Sequence, residues 1–134
     1  MKSILRKIAA VLAFIIGAMA VFAGAQVLLG NDPGYYVINW LPIYNYTAGV
    51  LTVFITAILI WRGGKLGWFA AITTISLHTL VMITLQTVHR DVVAMDSIRA
   101  MTLRMIAWVI ILVLMFAQSQ KDKKAQRLTT VAKS

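Results

Sequence analysis

The residues able to do chemistry are gathered between His78 and Arg104, which holds both histidines, the acids Asp91 and Asp96, and Arg90, Arg99 and Arg104, with long uncharged runs on either side. His78, Gln86, Asp96 and Arg104, joined by Asn45 and Tyr46 from further upstream, are the candidate ligand-binding residues, for these are polar groups set in apolar sequence. An imidazole could accept a hydrogen bond from a quinone or ligate a haem iron, and a guanidinium could face a lipid headgroup or a propionate. His78 and Met82 are four apart, as are Met101 and Met105, a spacing that puts each pair on one helix face. Imidazole and thioether suit Cu(I), so these four are the candidate metal ligands, against their plainer use as core filler. No carboxylate pair is spaced for acid-base work, and no nucleophile stands beside a base, so catalysis is not expected. The chain has no cysteine, which removes disulfides, thiolate metal sites and dithiol chemistry.

The elements that must position these residues are membrane helices. With 60% hydrophobic residues and a mean hydropathy of +0.84 over 134 residues, the chain has more apolar surface than one small soluble domain can bury. Its four acids, Asp32, Asp91, Asp96 and Asp122, divide it into runs long enough to cross a ~30 Å hydrocarbon layer. The pattern predicts an all-α integral membrane protein, a four-helix bundle running up-down-up-down with both termini cytoplasmic. The spans fall at about 8–30, 43–61, 66–89 and 97–118 in a single domain of residues 1–120, followed by a basic, solvated, partly disordered tail at 121–134.

Asn31-Asp32-Pro33-Gly34 ends the first span, and Tyr35, Tyr36, Trp40 and Tyr44 after it are headgroup-level aromatics. Pro42 suits the first turn of the second helix, and Trp61 to Trp68, with Gly63, Gly64 and two cations, forms the turn into the third. Small residues recur every four positions at Ala9, Ala13 and Gly17, again at Ala20 and Gly24, and at Gly67 and Ala71, where another helix can approach closely. Gly67, Ala71, Thr74, His78, Met82, Leu85 and His89 share one face of the third helix, which is expected to point inward. His78 should then be neutral and hydrogen-bonded, to Thr74 or to a neighbouring helix, while His89 is an ordinary interfacial residue. The basic n-region ahead of Ala23-Gly24-Ala25 also fits a signal peptide, although the apolar run continues past it to Leu29.

Only 16 residues, Met105 to Gln120, separate Arg104 from Lys121. They rise about 24 Å, too little for a span, so the fourth helix must begin earlier and carry Arg104 about 10 Å along its axis from Ser97. Snorkelling outward is the plainer expectation for such an arginine, and pairing with a buried partner is the other. Ten of the thirteen cations fall at the ends or in the Trp61 to Trp68 turn and three, Arg90, Arg99 and Arg104, on the opposite side, which orients the chain and makes the net charge of +9 a topology signal rather than a nucleic-acid one. The expected setting is a bacterial cytoplasmic membrane, with the lipid bilayer and a second copy or a larger membrane complex as partners and no nucleic acid. The leading functional expectation is a non-catalytic subunit or scaffold whose small-residue faces pack on a neighbour; a quinone, haem or lipid binder around His78 and Arg104 is the first alternative, and copper handling the second.

Overall fold

A computed structural model describes residues 4–34 and 36–133, the side chain of Lys133 apart; Lys2, Tyr35 and the Lys133 charge, used above, lie outside the described residues. The described residues are 84% helix, with no strand among them. It folds into α1 (Ile4–Leu28), α2 (Leu41–Arg62), α3 (Lys65–Thr87) and α4 (Met95–Lys133). All four are long and apolar enough to cross a membrane.

Each helix begins before the apolar run that announces it. Arg6 and Lys7 are good helix formers and extend α1 by a turn beyond the expected residue 8, and Asp96 sits in the first turn of α4, where its carboxylate suits the helix dipole. Gly30, at φ 95°, stops α1; the Asn31 side chain donates to Gln26 Oε1 at 2.5 Å, and the Gly34 amide donates to Asp32 Oδ1 at 2.8 Å. Pro42 lies in the first turn of α2 as the sequence requires. Gly63 and Gly64, at φ 80° and 95°, reverse the chain into α3 through a backbone conformation that side chains disfavour. The basic tail corrects the expectation of partial disorder, since α4 runs on through it to Lys133. No glycine or proline interrupts residues 117–133, Gln, Lys, Ala and Arg favour helix, and Gln118 Nε2 donates to Asp122 Oδ1 four residues on at 2.9 Å.

α1 packs on α2 and α4, and α3 packs on the same two, so the helices close a four-cornered ring with α2 and α4 on one diagonal. Ala9, Ala13, Gly17, Ala20 and Gly24 are all buried in this ring. The small-residue stripe is therefore buried inside the chain, against its own neighbouring helices. Two glycines allow the closest approach. A Cβ at Gly49 would lie 2.6 Å from Gly17 O, and one at Gly24 would lie 2.6 Å from Pro42 O. Gly67 and Ala71 are likewise buried, where α3 leaves the turn.

The interior holds two apolar clusters. Ala9, Ala13, Ile60, Ala71, Trp108, Ile111 and Met115 form one toward the termini; Ile38, Leu41, Val81, Met82, Leu85 and Met101 form the other. All five phenylalanines face outward, each 50% or more exposed. A water-soluble fold would bury such rings first. The outside of this bundle is more apolar than the layer between its two clusters, the arrangement that a hydrocarbon solvent favours.

Candidate functional site

Between the two apolar clusters lies a layer of polar side chains drawn from three helices. His78, midway along α3 and 4% exposed, hydrogen-bonds through Nδ1 to the Tyr44 hydroxyl of α2 at 2.5 Å. The two rings meet edge to face with centroids 5.8 Å apart, and the Trp108 ring of α4 closes the other side of the imidazole at 6.4 Å. His78 thus takes its partner from a neighbouring helix. Thr74 donates back to Ala70 O within α3 at 2.8 Å. Trp108 is fully buried, and its Nε1 is the one buried side-chain N or O without a hydrogen-bond partner among the described residues.

Arg104 points into the bundle. It is 7% exposed, and Nη1 donates to Asn45 Oδ1 at 2.6 Å and to Met101 Sδ at 3.5 Å. This corrects the snorkelling expectation, and the reason is geometric. Because α4 starts at Met95, Arg104 lies about 14 Å along its axis, where an amide oxygen one turn into α2 is a nearer acceptor than water at the helix end. The bond spans the diagonal of the ring, so one long side chain ties two helices whose backbones do not pack closely. Beside it is a cavity of about 50 Å³ lined by Asn45, Ser97, Met101 and Arg104 among others. Such a space suits one or two waters at ~30 Å³ each, whereas pockets for drug-sized ligands run to ~300–1,000 Å³.

No family model, curated protein or solved structure matches this chain. The site is therefore read from its own geometry.

That geometry joins only some of the residues singled out by sequence. Asn45 and Arg104 meet, and His78 lies in the same layer, but Tyr46 and Gln86 turn to the outer surface. Asp96 is also exposed and faces Arg99 at 3.9 Å, one turn along the α4 surface. His89 lies past the end of α3, where Nε2 accepts from Trp40 Nε1 at 3.3 Å. Of the four candidate copper ligands, Met82 and Met101 are buried in one apolar cluster with Met105 against it, and His78 sits apart in the polar layer. Among the described residues no three His, Cys, Asp or Glu gather in one place.

Three participants escaped the sequence reading. Tyr44 was placed among the headgroup aromatics, yet it is the partner of His78. Trp108 sits within an unbroken apolar run and gives no sign of reaching the polar layer. Gln118, 2% exposed, accepts from the Leu5 amide at 3.2 Å and so fastens the start of α1 to α4. The position of the hairpin turn could have revealed the first. Folding at Gly63-Gly64 sets residue 44 opposite residue 83 and residue 40 opposite residue 87, within side-chain reach of His78 and His89 respectively.

Chemically, the layer is closed. Tyr44 pairs with His78 and Asn45 with Arg104, Trp108 Nε1 alone is left without an acceptor among the described residues, and the volume beside Arg104 is too small for an organic ligand. What it does is fix the angular positions of α2, α3 and α4.

Proposed function

We propose that this chain is a non-catalytic subunit of a membrane assembly, seated in the bacterial cytoplasmic membrane with both termini cytoplasmic, and that it docks on a helix of its partner through the outer face of α1 and α2. One observation carries the reading: a wholly apolar groove of about 410 Å³ runs between the two helices, walled by Val11, Phe14, Phe54, Ile58 and Trp61 and floored by Ala10 and Ala57. A second apolar recess, lined by Phe14, Ala18, Met19 and Phe22, continues along α1. Small floor residues between aromatic walls admit the ridge of another helix, and association of helices in lipid depends on such packing because burying apolar surface there yields no hydrophobic gain. The polar layer supports the reading from the other side, since Tyr44 and His78 are paired, as are Asn45 and Arg104, and the cavity of about 50 Å³ beside them leaves little space for quinone or haem. Orientation rests on the excess of cations at the ends and in the α2–α3 turn.

Gentle detergent extraction followed by native mass measurement is the test. The reading expects a dimer or a stoichiometric complex that Phe14→Ala with Phe54→Ala dissociates while helicity and thermal unfolding stay unchanged. A monomer without any bound protein at the mildest extraction conditions overturns it.

A further inference from the structure

The end of the bundle that carries both termini contains a second cavity, about 260 Å³, of a different chemistry. Arg6 of α1, Lys65 at the start of α3 and Lys123 of α4 converge on it from three separate elements. One carboxylate, Asp122, shares the wall, but it accepts from Gln118, and no ion pair ties it to Arg6, Lys65 or Lys123 among the described residues. The lining thus carries three cations against one anion. Its walls are held in place independently of any ligand: Gln118 accepts from the Leu5 amide, and Arg6 Nε donates to Trp61 O at 3.1 Å, so α1, α4 and the end of α2 are fastened together around the opening. Cations brought together on a braced frame form a receptor for an anion, because their mutual repulsion is relieved only when one arrives. The α3 helix begins at the same wall, and its N-cap residue Gly64 supplies no side-chain acceptor, which leaves the first-turn amides without a capping side chain.

We infer that this cavity is a binding site for a phosphate group, that of an anionic phospholipid headgroup or of a soluble phosphate ester. The volume is below that of drug-sized pockets and suits a compact headgroup. Leu66 and Phe69, 66% and 72% exposed on the adjoining turn of α3, offer apolar surface beside the opening for acyl chains. This site is independent of the groove proposed above and lies on different residues.

The test uses the full chain in a neutral detergent. Lys65 and Lys123 are exposed and make no hydrogen bond among the described residues, so Lys65→Gln and Lys123→Gln leave the bundle intact, which thermal unfolding without ligand verifies. Mixed micelles doped with phosphatidylglycerol or with phosphatidylcholine are exchanged into lipid-free detergent, and the lipid retained per chain is measured by native mass. Wild type is expected to keep one phosphatidylglycerol in preference to phosphatidylcholine, each variant to weaken retention about fivefold, and the pair about thirtyfold, whereas Lys124→Gln with Arg127→Gln on the exposed tail changes it little. A parallel arm adds inorganic phosphate without lipid: thermal stabilisation of wild type but not of the pair, with no preferential lipid retention, assigns the site to a soluble ester. Equal retention of the two lipids together with no response to phosphate overturns the inference, as does a loss with the tail variants equal to that with the pocket variants.

Discussion

If Arg104 and Asn45 form a cross-bundle tie, their replacement must be non-additive. The bond joins a charged donor to a neutral acceptor at 2.6 Å, with Arg104 only 7% exposed. Hydrogen bonds to charged groups are worth about 1.5–3 kcal/mol in proteins, while cycles within membrane bundles average about 0.6 and reach about 1.7, because the unfolded chain in lipid also finds partners. The geometry places this pair near the upper membrane value, a coupling of about 1–1.5 kcal/mol. Asn45→Leu removes the acceptor and leaves the guanidinium to its remaining contacts, costing about 2–3 kcal/mol. Arg104→Met leaves only a neutral amide short of a donor and costs about 1–2 kcal/mol. The double variant then loses less than the two singles together, by the coupling energy. Reversible unfolding in mixed micelles, titrated with a denaturing detergent, reads all four proteins on one scale. Additivity within about 0.3 kcal/mol would refute the tie and restore the snorkelling arginine.

Two further outcomes follow from the same packing. Gly49→Ala pushes a methyl group to 2.6 Å from Gly17 O and 2.8 Å from Val21 N, so α1 and α2 must separate by most of an ångström; destabilisation of about 1–3 kcal/mol is expected in the same unfolding assay, and a neutral result would show that the two helices do not meet as described. Tyr44→Phe deletes the hydroxyl facing His78 while keeping the ring, which should cost about 1 kcal/mol and change the His78 imidazole signals in a histidine-labelled NMR spectrum; unchanged signals would break the pair.

The four long apolar helices were legible because an uncharged run of such length is a strong signal, and the position of Arg104 inside the fourth helix followed from the shortness of the last run alone. The helix ends were not legible to the same degree, since Arg6, Lys7 and the residues after Gln120 favour helix whatever solvates them, and a charge marks the edge of the hydrocarbon rather than the edge of a helix. The inward face of α3 could be read from its period, as Gly67, Ala71, His78, Met82 and Leu85 are buried together. Which helix each face meets could not. The stripe from Ala9 to Gly24 announces close packing equally for an internal and an external neighbour, and Asn45, 59 residues from Arg104, is one of several polar side chains at comparable depth. Pairings across a diagonal depend on the closure of the whole ring, and no local pattern encodes it.

α2 is the hub on which both kinds of contact depend, and its irregular middle is what permits this. It touches α1 through Gly49, α3 through Tyr44 and α4 through Asn45, and toward its end its buried Ala57 and Ile60 join the apolar cluster near the termini. Leu41 and Ile60 are both buried but 19 residues apart; at 100° per residue an unbroken α-helix would turn Ile60 about 100° away from the line of Leu41. The π-helical segment at Thr52–Thr56 lies between them, and a π-bulge accommodates one extra residue, worth about the same rotation. Both its threonines are buried; Thr52 faces α1 at Gly17, and its hydroxyl donates to Ala48 O at 2.7 Å. The bulge therefore keeps the polar half and the apolar half of α2 on one interior face. It also sets the relative rotation of Phe54 and Ile58 on the opposite side, so the outward groove and the inward polar layer are two consequences of the same inserted residue.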